Sequence, residues 1–213
     1  MIKVIFFDFD GTISDAKRLA YTSLVRALRE RKFEFDESKI SSLLGNKMGS
    51  IIEELGINKK DIDSTRKLFY KYFIGGANNG DIKRCGSMVP LWELKKNYSL
   101  IVVSNAETKF LNASIKTLEL EGLFEKVYGG EFFKSKDIFL KKLFKKMKIS
   151  PKEVAYIGDR FSDVKYAREA GCISIAIHNK YSWSTLDLIK KENPDYIVRN
   201  FSELRRLIKK INN

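Results

Sequence analysis

The sequence predicts an α/β protein: a doubly wound parallel sheet of the Rossmann-like kind, with a small all-helical domain inserted after the first strand. Three observations carry this. Val4 to Phe7 is an unbroken apolar run, the pattern of a strand buried on both faces in a parallel sheet. From residue 88 onward, short apolar runs alternate with amphipathic stretches, the signature of successive strand–helix units. Between residues 15 and 76 no strand pattern appears.

Taken in order, the run 4–7 ends in Asp8-Phe9-Asp10, and Gly11 marks the turn that closes the strand. Residues 15–32 carry apolar positions at helical spacing among charges. Residues 37–44 form a short helix ended by Gly45, and 48–55 and 60–74 form two more, with Asp61 or Asp63 as caps of the last. Gly75 to Gly80 reads as a flexible break and hinge. Residues 1–15 and 81–213 are therefore expected to form the α/β core, and 16–80 a helical cap domain. In the core, 88–96 is a helix, 99–103 a buried strand ending in Ser104-Asn105, 107–119 a helix and 126–129 a short strand. Helix 135–148 is strongly amphipathic: Phe139, Leu140, Leu143, Phe144 and Met147 line one face and five lysines the other. Strand 153–157 ends in Gly158-Asp159. Helix 162–170, strand 173–177, helix 184–191, strand 195–198 and helix 201–211 complete the chain.

Composition narrows the function classes. The 213 residues are 44% hydrophobic, enough for a packed core. No run approaches the roughly 18–20 apolar residues of a membrane span. No signal-peptide pattern opens the chain, so a cytoplasmic protein is expected. Cys85 and Cys172 are far apart, which argues against a disulfide framework or a thiolate metal site. The one histidine, His178, excludes a multi-histidine centre. The chemistry falls to Asp, Lys, Ser and Thr. A net charge of +13 allows a polyanion partner, but it also describes a lysine-rich solvated surface.

In open parallel sheets the ligand crevice lies beyond the carboxyl ends of the strands. There the first strand places Asp8 and Asp10, the second Ser104, and the fourth Asp159, followed one helical turn later by Asp163. Up to four carboxylates converge. Such a cluster stays ionised only around a cation. An all-oxygen set suits Mg2+.

These residues resemble the four motifs of the haloacid dehalogenase-like phosphohydrolases: Asp8-Phe9-Asp10-Gly11-Thr12, Ser104 after its strand, Lys134 or Lys136, and Gly158-Asp159-Arg160-Phe161-Ser162-Asp163. Order and spacing span nearly the whole chain. The stretch 150–171 is most similar to the phosphoglycolate phosphatase-type members, whose helical cap follows the first motif. The resemblance implies that Asp8 attacks phosphorus and forms an aspartyl-phosphate, and that Asp10 protonates the leaving oxygen and then activates water. It implies a Mg2+ held by Asp8, the main-chain carbonyl of Asp10 and Asp159, with Asp163 orienting the site. Ser104 and a lysine would bind the phosphoryl oxygens, with Thr12 and the N–H groups around Asn105 in support. In the cap, Gly45-Asn46-Lys47 resembles the loop that reaches substrate, and Lys47 could meet a carboxylate or second phosphate.

The third motif departs from the subgroup, which often shows Lys-Pro-x-Pro. Here it is Lys134-Ser135-Lys136-Asp137. Lys134 keeps the subgroup's spacing; Lys136 matches relatives whose lysine opens the helix after a Ser135 N-cap. Both stay open. The implied partner is a small phosphorylated metabolite, with no membrane and no nucleic-acid motif. Asp10 argues against the dehalogenase and phosphonatase branches, which lack it. The alternatives are a β-phosphoglucomutase-type phosphomutase, which shares all four motifs, and a polyanion or nucleic-acid binder using the basic surface. Tyr70, Tyr72 and Phe73 read as core, and the two cysteines as packing residues.

Overall fold

The computed structural model describes residues 1–213. Strand β1 (Val4–Phe7) leads through a two-residue strand, β2 (Ser14–Asp15), into four helices: α1 (Lys17–Glu30), α2 (Glu37–Leu43), α3 (Met48–Glu54) and α4 (Lys59–Asn78). The chain returns as β3 (Lys83–Arg84), antiparallel to β2. It continues as α5 (Val89–Lys95), β4 (Ser99–Val103), α6 (Thr108–Thr117), β5 (Lys126–Tyr128) and α7 (Lys136–Met147). Then follow β6 (Val154–Gly158), α8 (Phe161–Ala170), β7 (Ile173–Ile177), α9 (Leu186–Lys191), β8 (Tyr196–Val198) and α10 (Phe201–Asn212).

Six strands form one parallel sheet in the order β5-β4-β1-β6-β7-β8. The expected α/β sheet is therefore present, and β1 lies at its centre, between β4 and β6. Strand order reverses there, which opens a crevice at the carboxyl ends. Phe7 pairs with Val102 on one side and Ile157 on the other. Ser104 and Asp159 each stand two residues beyond those partners, so they flank the Asp8–Asp10 segment.

Alternation within β1 serves two cores at once. Val4 and Phe6 join Ile101, Val103, Val154 and Tyr156 against Leu140, Leu143 and Phe144 of α7. Ile5 and Phe7 join Leu100, Val102, Ala155 and Ile157 in the larger core. That larger core runs on without a break into the four inserted helices, through Leu24, Ile51, Phe69 and Phe73. The rings of Phe73 and Phe110 stack at 3.6 Å between α4 and α6. Lys141, Lys142, Lys145 and Lys146 of α7 face solvent, opposite its apolar stripe.

Three local expectations need correction. Gly75 and Gly76 do not break the chain: α4 runs through them to Asn78, and the turn comes at Gly80. The reason is packing. A Cβ on Gly76 would lie 2.3 Å from Leu19 Cδ1, so the glycine is a notch for α1. The N-cap of α4 is Asn58, and Asp61 in its first turn instead pairs with Arg31 at 2.8 Å. The β2–β3 ribbon has no apolar run to announce it, because its exposed strand, Lys83–Arg84, carries no core face. Both thiols are buried and free; burial pushes that of Cys172 up to about 12. No helix is long and apolar enough to cross a membrane.

Candidate active site

The site begins where β1 runs out. The N–H of Asp8 still donates to Ile157 O at 2.8 Å, so the last rung of the sheet fixes this residue. Phe9 is fully buried and its carbonyl accepts from Ile13 and Ser14, which folds 9–14 into a tight turn. Gly11 in that turn has φ +84°, and a Cβ there would sit 2.4 Å from Asp159 Oδ2. Glycine is required on both counts. Asp8 and Asp10 are left buried at the mouth of the crevice.

One cation enters this acid cluster. Lys136 opens α7, after Ser135 as N-cap, and is 2% exposed. Its Nζ donates to Asp8 Oδ1 at 3.1 Å, Asp163 Oδ1 at 3.0 Å and the Tyr156 hydroxyl at 2.9 Å. An ammonium has three donors, so all are spent. Tyr156 in turn donates to Val103 O at 2.9 Å. Lys134, the other candidate, is exposed, and the structure does not bring it to the cluster.

Asp159 and Asp163 come from the end of β6 and the first turn of α8. Asp163 Oδ2 accepts the N–H of Arg160 at 3.2 Å, closing the helix start. Asp159 is fully buried; it accepts the Thr12 hydroxyl at 3.0 Å and the main-chain N–H of Trp183 at 2.6 Å. Carboxylate oxygens of Asp8, Asp159 and Asp163 lie within 4.8 Å of one another. At that distance two like charges repel by roughly 3–4 kcal/mol in a medium of effective dielectric ~20. The carboxylate of Asp10 is outside this trio, and its Oδ1 has no hydrogen-bond partner.

Protonation follows from this layout. Burial pushes the Asp8 carboxyl up to about 6, against the pull of Lys136. Burial, then Asp8 and Asp159, holds Asp10 well above the usual carboxylate range. Burial, then Asp163 and Asp8, does the same to Asp159. For Lys136 burial works against the charge, but Asp163, Asp8 and Tyr156 outweigh it and keep the ammonium protonated. Two adjacent acids thus differ: Asp8 ionises near neutrality, while Asp10 keeps its proton.

The crevice above them is narrow, a cavity of about 40 Å3 between the sheet and the inserted helices. Asp8, Asp10, Ser104 and Asn105 line its floor; Leu44, Met48, Phe69, Tyr70 and Phe73 of the inserted helices line its roof. Ser104 is buried and its Oγ accepts from Ala106 N at 3.4 Å. Asn105 donates to Gly45 O at 2.9 Å, tying floor to roof. Thr12 sits with its hydroxyl on Asp159 and does not line the crevice. Lys47 does not line it either: its ammonium donates to the carbonyls of Gly130, at 2.7 Å, and Phe133. That lysine straps the loop 44–47 to the sheet domain.

Three contributors escape sequence reasoning. Arg160 lines the crevice from inside the Gly158–Asp163 motif, where a charged residue beside an acid reads as surface. Trp183 acts on Asp159 through its main chain, which leaves no side-chain signature. Tyr156 is hidden in an apolar strand run.

A family model described as haloacid dehalogenase-like hydrolase matches residues 5–177. A protein named phosphoglycolate phosphatase from Photorhabdus laumondii is 25% identical over 214 residues, 95% of this chain and 91% of its own. One of the same name from Vibrio vulnificus is 26% identical over 217 residues, 95% of this chain and 94% of its own. Among solved structures, a haloacid dehalogenase-like family hydrolase from Streptococcus pneumoniae superposes with a TM-score of 0.83 at 22% identity, over 97% of this chain and 98% of its own.

Proposed function

Since the chain belongs to the haloacid dehalogenase-like hydrolase family, we propose that it is a Mg2+-dependent phosphatase of small phosphate monoesters, phosphoglycolate phosphatase-like, acting in the cytoplasm through an aspartyl-phosphate on Asp8. The observation that carries this reading is the pairing at the end of β1: an acid held by Lys136 beside an acid that keeps its proton.

The donor set fits the cation. Asp8, Asp159 and Asp163 offer only carboxylate oxygens within 4.8 Å of one another. Counting Lys136, the trio still carries two uncompensated negative charges when ionised, and Asp159 has only neutral donors. Hard oxygens and a net deficit of two charges suit a divalent ion. Asp8 and Asp159 would hold it, with the Asp10 carbonyl. Asp163, whose two oxygens already accept from Lys136 and Arg160 N, acts on it from behind. When bound, the ion neutralises phosphoryl oxygens and aligns the ester for in-line displacement.

The chain's own residues supply the rest. Lys136 orients Asp8 through Oδ1. The carboxylate attacks phosphorus as the bond to the leaving oxygen breaks, and Asp10 gives that oxygen its proton. Asp10, now ionised, takes a proton from water; the hydroxide displaces Asp8 from phosphorus and phosphate leaves. Ser104 and the N–H groups near Asn105 bind phosphoryl oxygens, and Thr12 acts indirectly by holding Asp159. Residues 16–80 serve as the lid that excludes water, its loop 44–47 strapped down by Lys47 and Asn105.

The test is phosphate release from a generic aryl phosphate with Mg2+, with EDTA, and with Asp8→Asn. Turnover should need both the metal and Asp8, with the Asn variant slowed by about 10^4-fold or more. Full rate in either the chelated enzyme or the variant contradicts the mechanism.

A further inference from the structure

The cations around the crevice are not equally free. Lys136 has spent its three donors on Asp8, Asp163 and Tyr156. Lys47 is committed to the carbonyls of Gly130 and Phe133. Arg160 is the only positively charged residue that lines the crevice itself. It is 5% exposed, and buried arginines are ordinarily paired. Yet it makes no ion pair: both ion pairs of the site belong to Lys136. Its guanidinium reaches a single acceptor, the amide oxygen of Asn46, with two N–H groups sharing that oxygen at 3.3 Å each. A guanidinium carries five donors in a planar fork. Most of that capacity is unused in a closed, largely apolar space.

Its placement is specific. The residue follows Asp159 just beyond the end of β6, and its guanidinium packs against Gly45 of the lid loop, where a Cβ would come within 2.5 Å of Nη1. Arg160 therefore stands between the acid cluster and the roof of the crevice. A fork in this position matches a planar or tetrahedral oxyanion through two parallel hydrogen bonds.

We infer that Arg160 is a specificity-determining residue that binds a second anionic group on the leaving part of the substrate. The substrates are then phosphate esters or anhydrides bearing a carboxylate or a second phosphate close to the scissile bond. Asn46 holds the guanidinium in place and cedes donors when the anion arrives. The inference rests on the phosphatase reading and narrows its substrate class.

The test compares four probes: an aryl phosphate and glycerol phosphate, which have no second anion; the phosphate ester of a short 2-hydroxy acid; and inorganic pyrophosphate. Each is measured as kcat/KM and as a ligand-induced shift in melting temperature, for the wild type, Arg160→Gln and Asn46→Ala. Arg160→Gln should cut the ratio of acidic-probe to neutral-probe kcat/KM by about 10-fold or more, mostly through KM. Whether the hydroxy-acid ester or pyrophosphate loses more identifies the anion. Asn46→Ala, which frees the guanidinium but keeps it, should hold the ratio within about 3-fold. Equal losses on all probes in Arg160→Gln, or an Asn46→Ala effect matching it, would make Arg160 a lid latch and overturn the inference. If no probe is turned over, the phosphatase reading falls, and the melting shifts still decide: the acidic probes must stabilise the wild type more than Arg160→Gln.

Discussion

Asp163 and Asp159 stand one helical turn apart, both buried, and are treated in opposite ways. Asp163 accepts from an ammonium on one oxygen and a helix-start N–H on the other. Asp159 accepts only from a hydroxyl and a main-chain N–H, and burial with its acidic neighbours raises its pKa. The chain has therefore compensated one half of the acid cluster in part, with one ammonium for the two carboxylates of Asp8 and Asp163, and left the other half to a proton or an external cation. The compensated half holds Asp8 still through Lys136. The uncompensated half, Asp10 and Asp159, is where protons and a metal would be exchanged. Charge economy, more than residue type, separates the two halves.

Asp10→Asn removes the exchangeable proton and should lower kcat on an aryl ester by about 10^2–10^4-fold; a loss under threefold would deny Asp10 its acid–base role. Lys136→Met makes the compensated half resemble the other, leaving Asp8 and Asp163 unpaired. It should cost about 3–5 kcal/mol in urea unfolding with EDTA present. A cost under 1 kcal/mol would mean that the buried pair is not what neutralises the cluster.

Acidity sharpens the contrast further. Asp8 folded, at about 6, binds a proton more tightly than the unfolded carboxyl near 3.8. Between those values the folded state holds more protons, so its contribution to stability falls as pH rises through the window. Asp10 and Asp159 are shifted in the same direction. A cation offsets the charges that appear. The gap in urea midpoint between Mg2+ and EDTA should therefore widen from pH 5 to pH 7; a constant gap would contradict it. The smallest effect should come from Lys47→Met. Losing the strap to Gly130 and Phe133 should cost about 1 kcal/mol in urea unfolding and leave the pH–rate profile in place. A displaced profile would put Lys47 in the chemistry.

How far this site is legible in the sequence depends on what each residue uses to make its contact. Strands β1, β4, β6 and β7 are apolar runs because both faces are buried, and their polar ends mark the crevice. Asp8, Ser104 and Asp159 follow from that alone. The lysine does not: Lys134 and Lys136 differ only in whether the chain is already helical, and the start of α7 at Lys136 decides which one turns inward. Lys47 and Arg160 are both cations near the lid loop, yet one ends on carbonyls and the other in the crevice, a difference set by tertiary geometry. Gly76 shows the same limit. Glycine marks a break in local terms, whereas here it admits Leu19 between two packed helices.

On the proposed function, a divalent cation completes the uncompensated half of the cluster. The most direct measurement is the melting temperature of the metal-free protein titrated with Mg2+, beside Asp159→Asn. At 100 times its dissociation constant a ligand stabilises by about 2.7 kcal/mol, or roughly 5–10 °C for a chain of this size. The wild type should show that shift, and the Asn variant should melt higher without metal and barely respond to it. A wild type indifferent to Mg2+, or a variant that responds equally, would contradict this role for the cation.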